Sequence, residues 1–263
     1  ANRTRETVFS TYDPDKRTWA AWKPLQMPDE PRFFNSGAGC VQRFDLPDGD
    51  ILLPIYAKEV SAKAYFSTVV RCRFDGRELK YVEHGSELTV PIDRGLYEPS
   101  LARFGGAFFL TLRNDQAAYV ARSADGLRFE APRKWTFDDG TDLGSYNTQA
   151  HWVTHDEALF LVYTRKDPSN LNVPRWRAPL WIAQVDPRKL CLMRDTERIV
   201  LPLVGDGVNK ADEVAYSGNF HPVNVSPDES WVTDGEIIPK RGWKGDLLLS
   251  RIRWHRPNQL VAA

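Results

Sequence analysis

The chain has 263 residues, 42% of them hydrophobic and 12% aromatic, which excludes a disordered segment and allows one large domain or two small ones. Thirty-five basic residues balance thirty-five acidic ones, so the chain lacks the uniform positive field of a protein that tracks phosphate backbones, and nucleic acid is not expected as a partner. No apolar run approaches the roughly 18 residues of a membrane helix, and Cys40, Cys72 and Cys191 are too scattered for a disulfide framework or a zinc knuckle.

In chain order, short β-branched and aromatic runs recur between clusters of Asp, Gly, Pro and Asn, and no long stretch carries helical periodicity. Strands are predicted over Asp50 to Tyr56, Phe66 to Phe74, Ala107 to Leu112, Ala117 to Arg122, Ala158 to Tyr163, Leu180 to Val185 and Asp246 to Trp254. They group into four similar units at about 33–90, 95–137, 145–203 and 216–255. An all-β repeat of this kind predicts propeller blades, each a small sheet that buries its faces against its neighbours. Three units share a tight turn after their first strand: Pro47-Asp48-Gly49, Phe104-Gly105-Gly106 and Pro227-Asp228-Glu229. Asp-Gly and Gly-Gly supply the positive φ angles that such a hairpin requires.

Family resemblance enters with two turns. Ser123-Ala-Asp-Gly-Leu-Arg-Phe129 resembles a shortened Asp-box, and Tyr12-Asp-Pro-Asp-Lys-Arg-Thr-Trp19 is similar to a second copy. Their order relative to Phe34-Asn-Ser-Gly-Ala-Gly-Cys40, Leu96-Tyr-Glu-Pro-Ser-Leu101, Phe109 to Arg113 and Ser217 to Pro222 resembles that of sialidase superfamily propellers across nearly the whole chain. The resemblance implies a sialidase-like β-propeller of five to six blades, forming a single domain over residues 1–263. It also implies that the first blade is incomplete, because the first Asp-box begins near residue 12. The chain opens on Ala-Asn-Arg-Thr-Arg, so a leader for secretion, if there is one, lies outside this sequence.

In a propeller the innermost strands line a central channel, and the loops at one end build the ligand site. The predicted starts of the inner strands are Asn35-Ser36-Gly37, Tyr97-Glu98, Asn147-Thr148-Gln149-Ala150-His151 and Asn219-Phe220-His221, all rich in groups that hydrogen-bond sugar hydroxyls. By the resemblance, Glu98 falls where the family has the glutamate that polarises a nucleophilic tyrosine. Arg113 falls where one of three carboxylate-gripping arginines stands. Arg165 or Arg177 are expected to join Arg113, since paired guanidinium forks suit an acidic sugar. A buried Glu98–Arg113 salt bridge is the alternative for that pair. The family's tyrosine is expected near the start of the last blade, where Tyr216 stands a few positions early.

His151 and His221 open a different route, because imidazole needs little tuning to move protons near neutral pH. With Tyr97 and Arg113 they would suit a propeller lyase acting on a uronate, or a rhamnosidase-type enzyme. Wall packing is the alternative for each histidine. The polar, proline-punctuated insertion 166–179, with Trp176, is expected to cover a site. The expected ligand is a carbohydrate, with no metal or other cofactor. The leading expectation is an exo-acting glycosidase-like enzyme on a terminal acidic or deoxy sugar, and a non-catalytic sugar-binding propeller is the reading from outside enzymology.

Overall fold

The computed structural model describes residues 5–144 and 148–261, and it is an all-β propeller. Every pairing between its strands is antiparallel. The first blade carries Asn35–Gly37 and Phe44–Asp45 on the inner edge of Asp50–Lys58, followed outward by Phe66–Phe74 and Leu79–His84. The second runs Tyr97–Phe104, Ala107–Arg113, Tyr119–Ser123 and Arg133–Lys134. The third runs His151–Thr154, Leu159–Tyr163 and Leu180–Asp186, with Cys191–Leu192 and Arg198–Leu201 on the far edge. The fourth has Tyr216–Ser226, Glu229–Ile237 and Leu247–Arg253. These four sheets fall inside the four units predicted from the sequence, and the three predicted hairpin turns join the strands they were expected to join.

The strands alternate sides, and in a propeller both sides are covered, which is why the middle strands read as unbroken apolar runs. All seven residues of Ala107–Arg113 are buried. Phe108, Leu110 and Leu112 join Leu52 and Val69 between the first and second blades. Phe109 joins Trp135, Trp152, Leu161 and Trp181 between the second and third. Val153, Val162 and Leu180 meet Phe220 and Val232 between the third and fourth. Each large apolar side chain so buried contributes about 2 kcal/mol, which makes these inter-blade layers the source of the fold's stability.

One turn recurs at the outer hairpin of successive blades. The carboxylates of Asp75, Asp125 and Asp186 each accept the backbone amides two and three residues further on, at 2.7–3.0 Å. Asp13 does the same at 3.0–3.1 Å in the hairpin where Tyr12–Asp13 pairs with Thr18–Trp19. The N-terminal hairpin therefore has the same turn as the outer hairpins of the blades. Leu25 and Phe33 behind it pack on Ile51, Ile55 and Val70, covering the outward face of the first full blade.

Candidate active site

At one end of the channel the inner strands depart from regular pairing. A bulge between Tyr97 and Ser100 sets Glu98 at φ 47°, and a bulge between Gly218 and His221 sets Asn219 at φ 64°. Cys40, in the segment that interrupts the first blade's inner strand, has φ 56°. Left-handed backbone at a non-glycine residue is uncommon and costs on the order of 1 kcal/mol, so three blades each carry strain toward the same mouth. The thiol of Cys40 donates to Asn219 Oδ1 at 3.4 Å and links the first blade to the fourth. Burial raises the pKa of that thiol, and the nearby Glu98 carboxylate adds to the effect.

The charged centre is the ion pair from Arg113 Nη1 to Glu98 Oε2, 2.5 Å long, with the two side chains 5% and 18% exposed. Antiparallel pairing puts Arg113 directly across from Tyr97, and its guanidinium lies 4.7 Å from the centre of that ring. Arg177 reaches the same place from the third blade's insertion. It packs closely on Gly218, where a Cβ would sit 2.4 Å from Nη1 and where a φ of 151° disfavours any side chain. Burial depresses the Arg177 pKa, the charges of Arg113 and Arg175 depress it further, and Glu98 opposes them. Arg113 and Arg177 thus act on the Glu98 carboxylate from two blades, and Arg177 also acts on the Asp234 carboxyl.

Tyr56 closes this cluster. Its ring opposes Gly37 across the first blade, where a Cβ would come within 2.9 Å of it, so the absence of a side chain at Gly37 makes room for the phenol. Burial raises the Tyr56 pKa and the charge of Glu98 raises it further, while its hydroxyl has no hydrogen-bond partner among the described residues. Tyr65 and Tyr97 both pack edge-on against it.

The fourth blade supplies two carboxyls. Asp234 is 2% exposed and accepts from the Gly218 amide at 3.2 Å through Oδ1, while Oδ2 has no partner among the described residues. Burial pushes its pKa up to about 7, against the pull of the Gly218 and Gly235 amides and of Arg177. Glu236, two residues on and 5% exposed, has Oε2 unpartnered and a pKa raised by burial and by Asp246. Burial without a compensating partner favours the protonated form in both.

Deeper in the wall, Ser100 Oγ lies 2.8 Å from His151 Nδ1 and the His151 and His221 rings stand 5.1 Å apart. His151 is fully buried with Nε2 unpartnered, and burial, then His221, holds its pKa well below the ordinary value, so the imidazole is neutral. His221 opens on a channel of about 700 Å³ that also touches Gln42, Trp152 and Asn224. Gln149 is buried, its Oε1 accepting from Thr148 Oγ1 at 2.9 Å and its Nε2 unpartnered.

Of the residues singled out in the sequence, Glu98, Arg113, Arg177 and Asn219 share the mouth, and Asn35 stands on the short inner strand that holds Gly37 beside Tyr56. Asn147 lies outside the described residues. The Tyr97 hydroxyl donates to Asp115 and accepts from Arg94 Nη2 at 2.6 Å, so its ring supports Arg113 while its oxygen is engaged behind it. Arg165 is held in the third blade by Glu197 at 2.9 Å and Asp167 at 2.7 Å over the Trp181 ring, and none of its contacts is with Glu98, Arg113 or Arg177. Sequence reasoning missed Tyr56, Cys40, Asp234 and Glu236. For Tyr56 a signal existed, a phenol ending an apolar strand just after a Gly-x-Gly segment.

No protein-family profile and no curated protein matches this chain. Solved structures do. The sialidase of Trypanosoma rangeli bound to the inhibitor DANA superposes with a TM-score of 0.55 at 15% identity, covering 93% of this chain and 38% of that one. A GH43_1 enzyme from Xanthomonas citri gives 0.51 at 13%, covering 80% of this chain and 72% of that one. An alpha-L-arabinanase mutant from Cellvibrio cellulosa gives 0.51 at 10%, covering 82% and 70%. The chain is a β-propeller of the architecture shared by sialidases and GH43 glycosidases. It spans about two fifths of the sialidase's length, and at these identities the likeness concerns the fold.

Proposed function

We propose that this propeller is a glycosidase-like enzyme that binds a terminal acidic sugar of a glycan at the mouth formed by Glu98, Arg113, Arg177 and Tyr56. The observation that carries the reading is the convergence of Arg113, Arg177 and Glu98 beside the Tyr56 phenol. Arg113, already oriented by Glu98, and Arg177 grip the sugar carboxylate. The Tyr56 oxygen attacks the anomeric carbon as its proton passes to Glu98. The bond to the leaving oxygen breaks as that oxygen takes a proton from a carboxylic acid, and water later releases the sugar from Tyr56. Asp234 is the carboxyl best suited to the acid role, because a pKa of about 7 keeps its proton available near neutrality.

The propeller glycosidases with similar folds, one of them a sialidase bound to an inhibitor, support carbohydrate as the ligand class. A histidine lyase is less well supported, since His151 is fully buried and the Tyr97 hydroxyl is engaged by Asp115 and Arg94. A glycan panel scored for released monosaccharide and for ultraviolet-absorbing unsaturated product separates the readings. Release of an acidic monosaccharide, lost in Tyr56→Phe and Glu98→Gln, is the expected result. Unsaturated product would mean a lyase, and binding without turnover a sugar-binding propeller.

A further inference from the structure

Around the Tyr97 ring the second blade carries a polar network that the proposed chemistry does not use. It starts from the backbone just past Ala107–Arg113. Asn114 is fully buried, and its Nδ2 donates to the carbonyls of Ile92 at 3.0 Å and Gly95 at 2.8 Å. That loop lies tight against the first blade: the Tyr65 amide donates to the Arg94 carbonyl at 2.7 Å, and a Cβ at Gly95 would come within 2.2 Å of the Tyr65 carbonyl oxygen. With both stretches of chain pinned, Arg94 meets Asp115 through two parallel hydrogen bonds, each 2.7 Å. Arg94 Nη2 also donates to the Tyr97 hydroxyl at 2.6 Å, and that hydroxyl donates to Asp115 Oδ1. The hydrogen bonds from Arg94 hold the Asp115 pKa down at about 2 against the effect of burial, and burial raises that of Tyr97. The carboxylate is therefore charged and the phenol keeps its proton.

Tyr97 touches both groups that the proposed chemistry needs. Its ring lies 4.7 Å from the Arg113 guanidinium and meets the Tyr56 ring edge-on at 6.4 Å between centres. A phenol whose oxygen is bonded to two charged groups has its ring fixed with it. Glu98 also holds Arg113, but in the proposed reaction it takes the Tyr56 proton, and a neutral carboxyl holds a guanidinium less strongly. The contact with the ring does not depend on that proton. We infer that Asp115 is a positioning residue: through the Tyr97 hydroxyl it fixes the ring, and the ring sets Arg113 to receive the sugar carboxylate. The inference rests on the acidic-sugar reading of the mouth and adds to it a residue outside the mouth on which carboxylate recognition depends. Charge alone predicts the opposite sign, because Asp115 acts electrostatically on Arg113 and its loss would leave the mouth more positive and tighten the binding of an anion.

The test is a titration of the full chain with sialic acid and glucuronic acid, each beside the same sugar reduced at its carboxyl group. Wild type, Asp115→Ala, Asp115→Asn, Tyr97→Phe and the Asp115→Ala/Tyr97→Phe double variant are compared, with folding checked by circular dichroism. Asp115→Ala and Tyr97→Phe are each expected to weaken binding of the acid roughly three- to tenfold and to leave the reduced sugar unchanged. Asp115→Asn should recover part of the loss, since its amide oxygen still accepts from the Tyr97 hydroxyl. The double variant should bind no more weakly than Asp115→Ala, because both changes break one link. Tyr97→Phe removes a single oxygen and carries the test if the Asp115 variants fail to fold. Unchanged or tighter acid binding in these variants, equal losses for acid and reduced sugar, or additive losses in the double variant would overturn the inference and leave the acidic-sugar reading standing. A wild type without preference for either acid would sink that reading, and the inference with it.

Discussion

The second and fourth blades build opposite walls of the same mouth and treat charge in opposite ways. In the second blade the charges around the Tyr97 ring are matched: Arg113 meets Glu98, and Arg94 meets Asp115 at 2.7 Å through both oxygens, with the Tyr97 ring packed against both guanidiniums. In the fourth, Asp234 and Glu236 are buried with oxygens that nothing among the described residues satisfies. A matched network fixes geometry, and unmatched buried carboxyls hold protons and await a partner. On the proposed function, the second blade's wall would position the sugar and Asp234 of the fourth would supply the proton.

The sharpest way to break the matched wall is Arg113→Met, which strands Glu98 in a mostly buried position. It is expected to lower thermal stability by about 3 kcal/mol and to abolish acidic-sugar binding, read by denaturant melts and titration. Asp234→Asn probes the unmatched wall. The folded-state pKa of Asp234, about 7, stands above its ordinary value, so its ionisation opposes folding as pH rises through that range and costs nothing below about 4. The Asn variant should thus exceed the wild type in stability by a few kcal/mol at pH 8 and match it at pH 4 in melts run across pH. Tyr56→Phe should leave the melt within about 1 kcal/mol and cut turnover at least a hundredfold, separating chemistry from scaffold. Arg165→Met, in the third blade's own ion-pair network, should cost about 1–3 kcal/mol of stability with no change in sugar affinity. Trp19→Ala, on the exposed N-terminal hairpin, should change stability by less than about 0.5 kcal/mol.

The contrast between walls also sets how much the sequence reveals. Blade limits are legible because turn chemistry is local: Gly105-Gly106 and the Asp125 turn announce themselves within a few residues, whereas the like turns at Asp75 and Asp186 emerge from the structure. Glu98 and Arg113 are singled out by the family resemblance, and the register of one hairpin brings them together. Arg165 and Arg177 carry the same chemistry in sequence, and only the insertion's path, turned by Arg175 and Trp176 and admitted by Gly218, decides which one reaches the mouth. Asp234 and Glu236 look like polar residues of an alternating strand, and their meaning lies in the absence of partners, a property of the packed molecule. Tyr216 marks the right blade but lines a separate cavity beside Arg177, while the phenol beside Glu98 comes from the first blade.

The proposed function requires Arg113 and Arg177 to bind a sugar carboxylate, and one titration tests this. Wild-type protein and Arg177→Met are titrated with an acidic monosaccharide and with the same sugar reduced at its carboxyl group. The wild type should prefer the acid at least tenfold and the variant should lose most of that preference. Equal affinity of the wild type for both sugars would contradict the account.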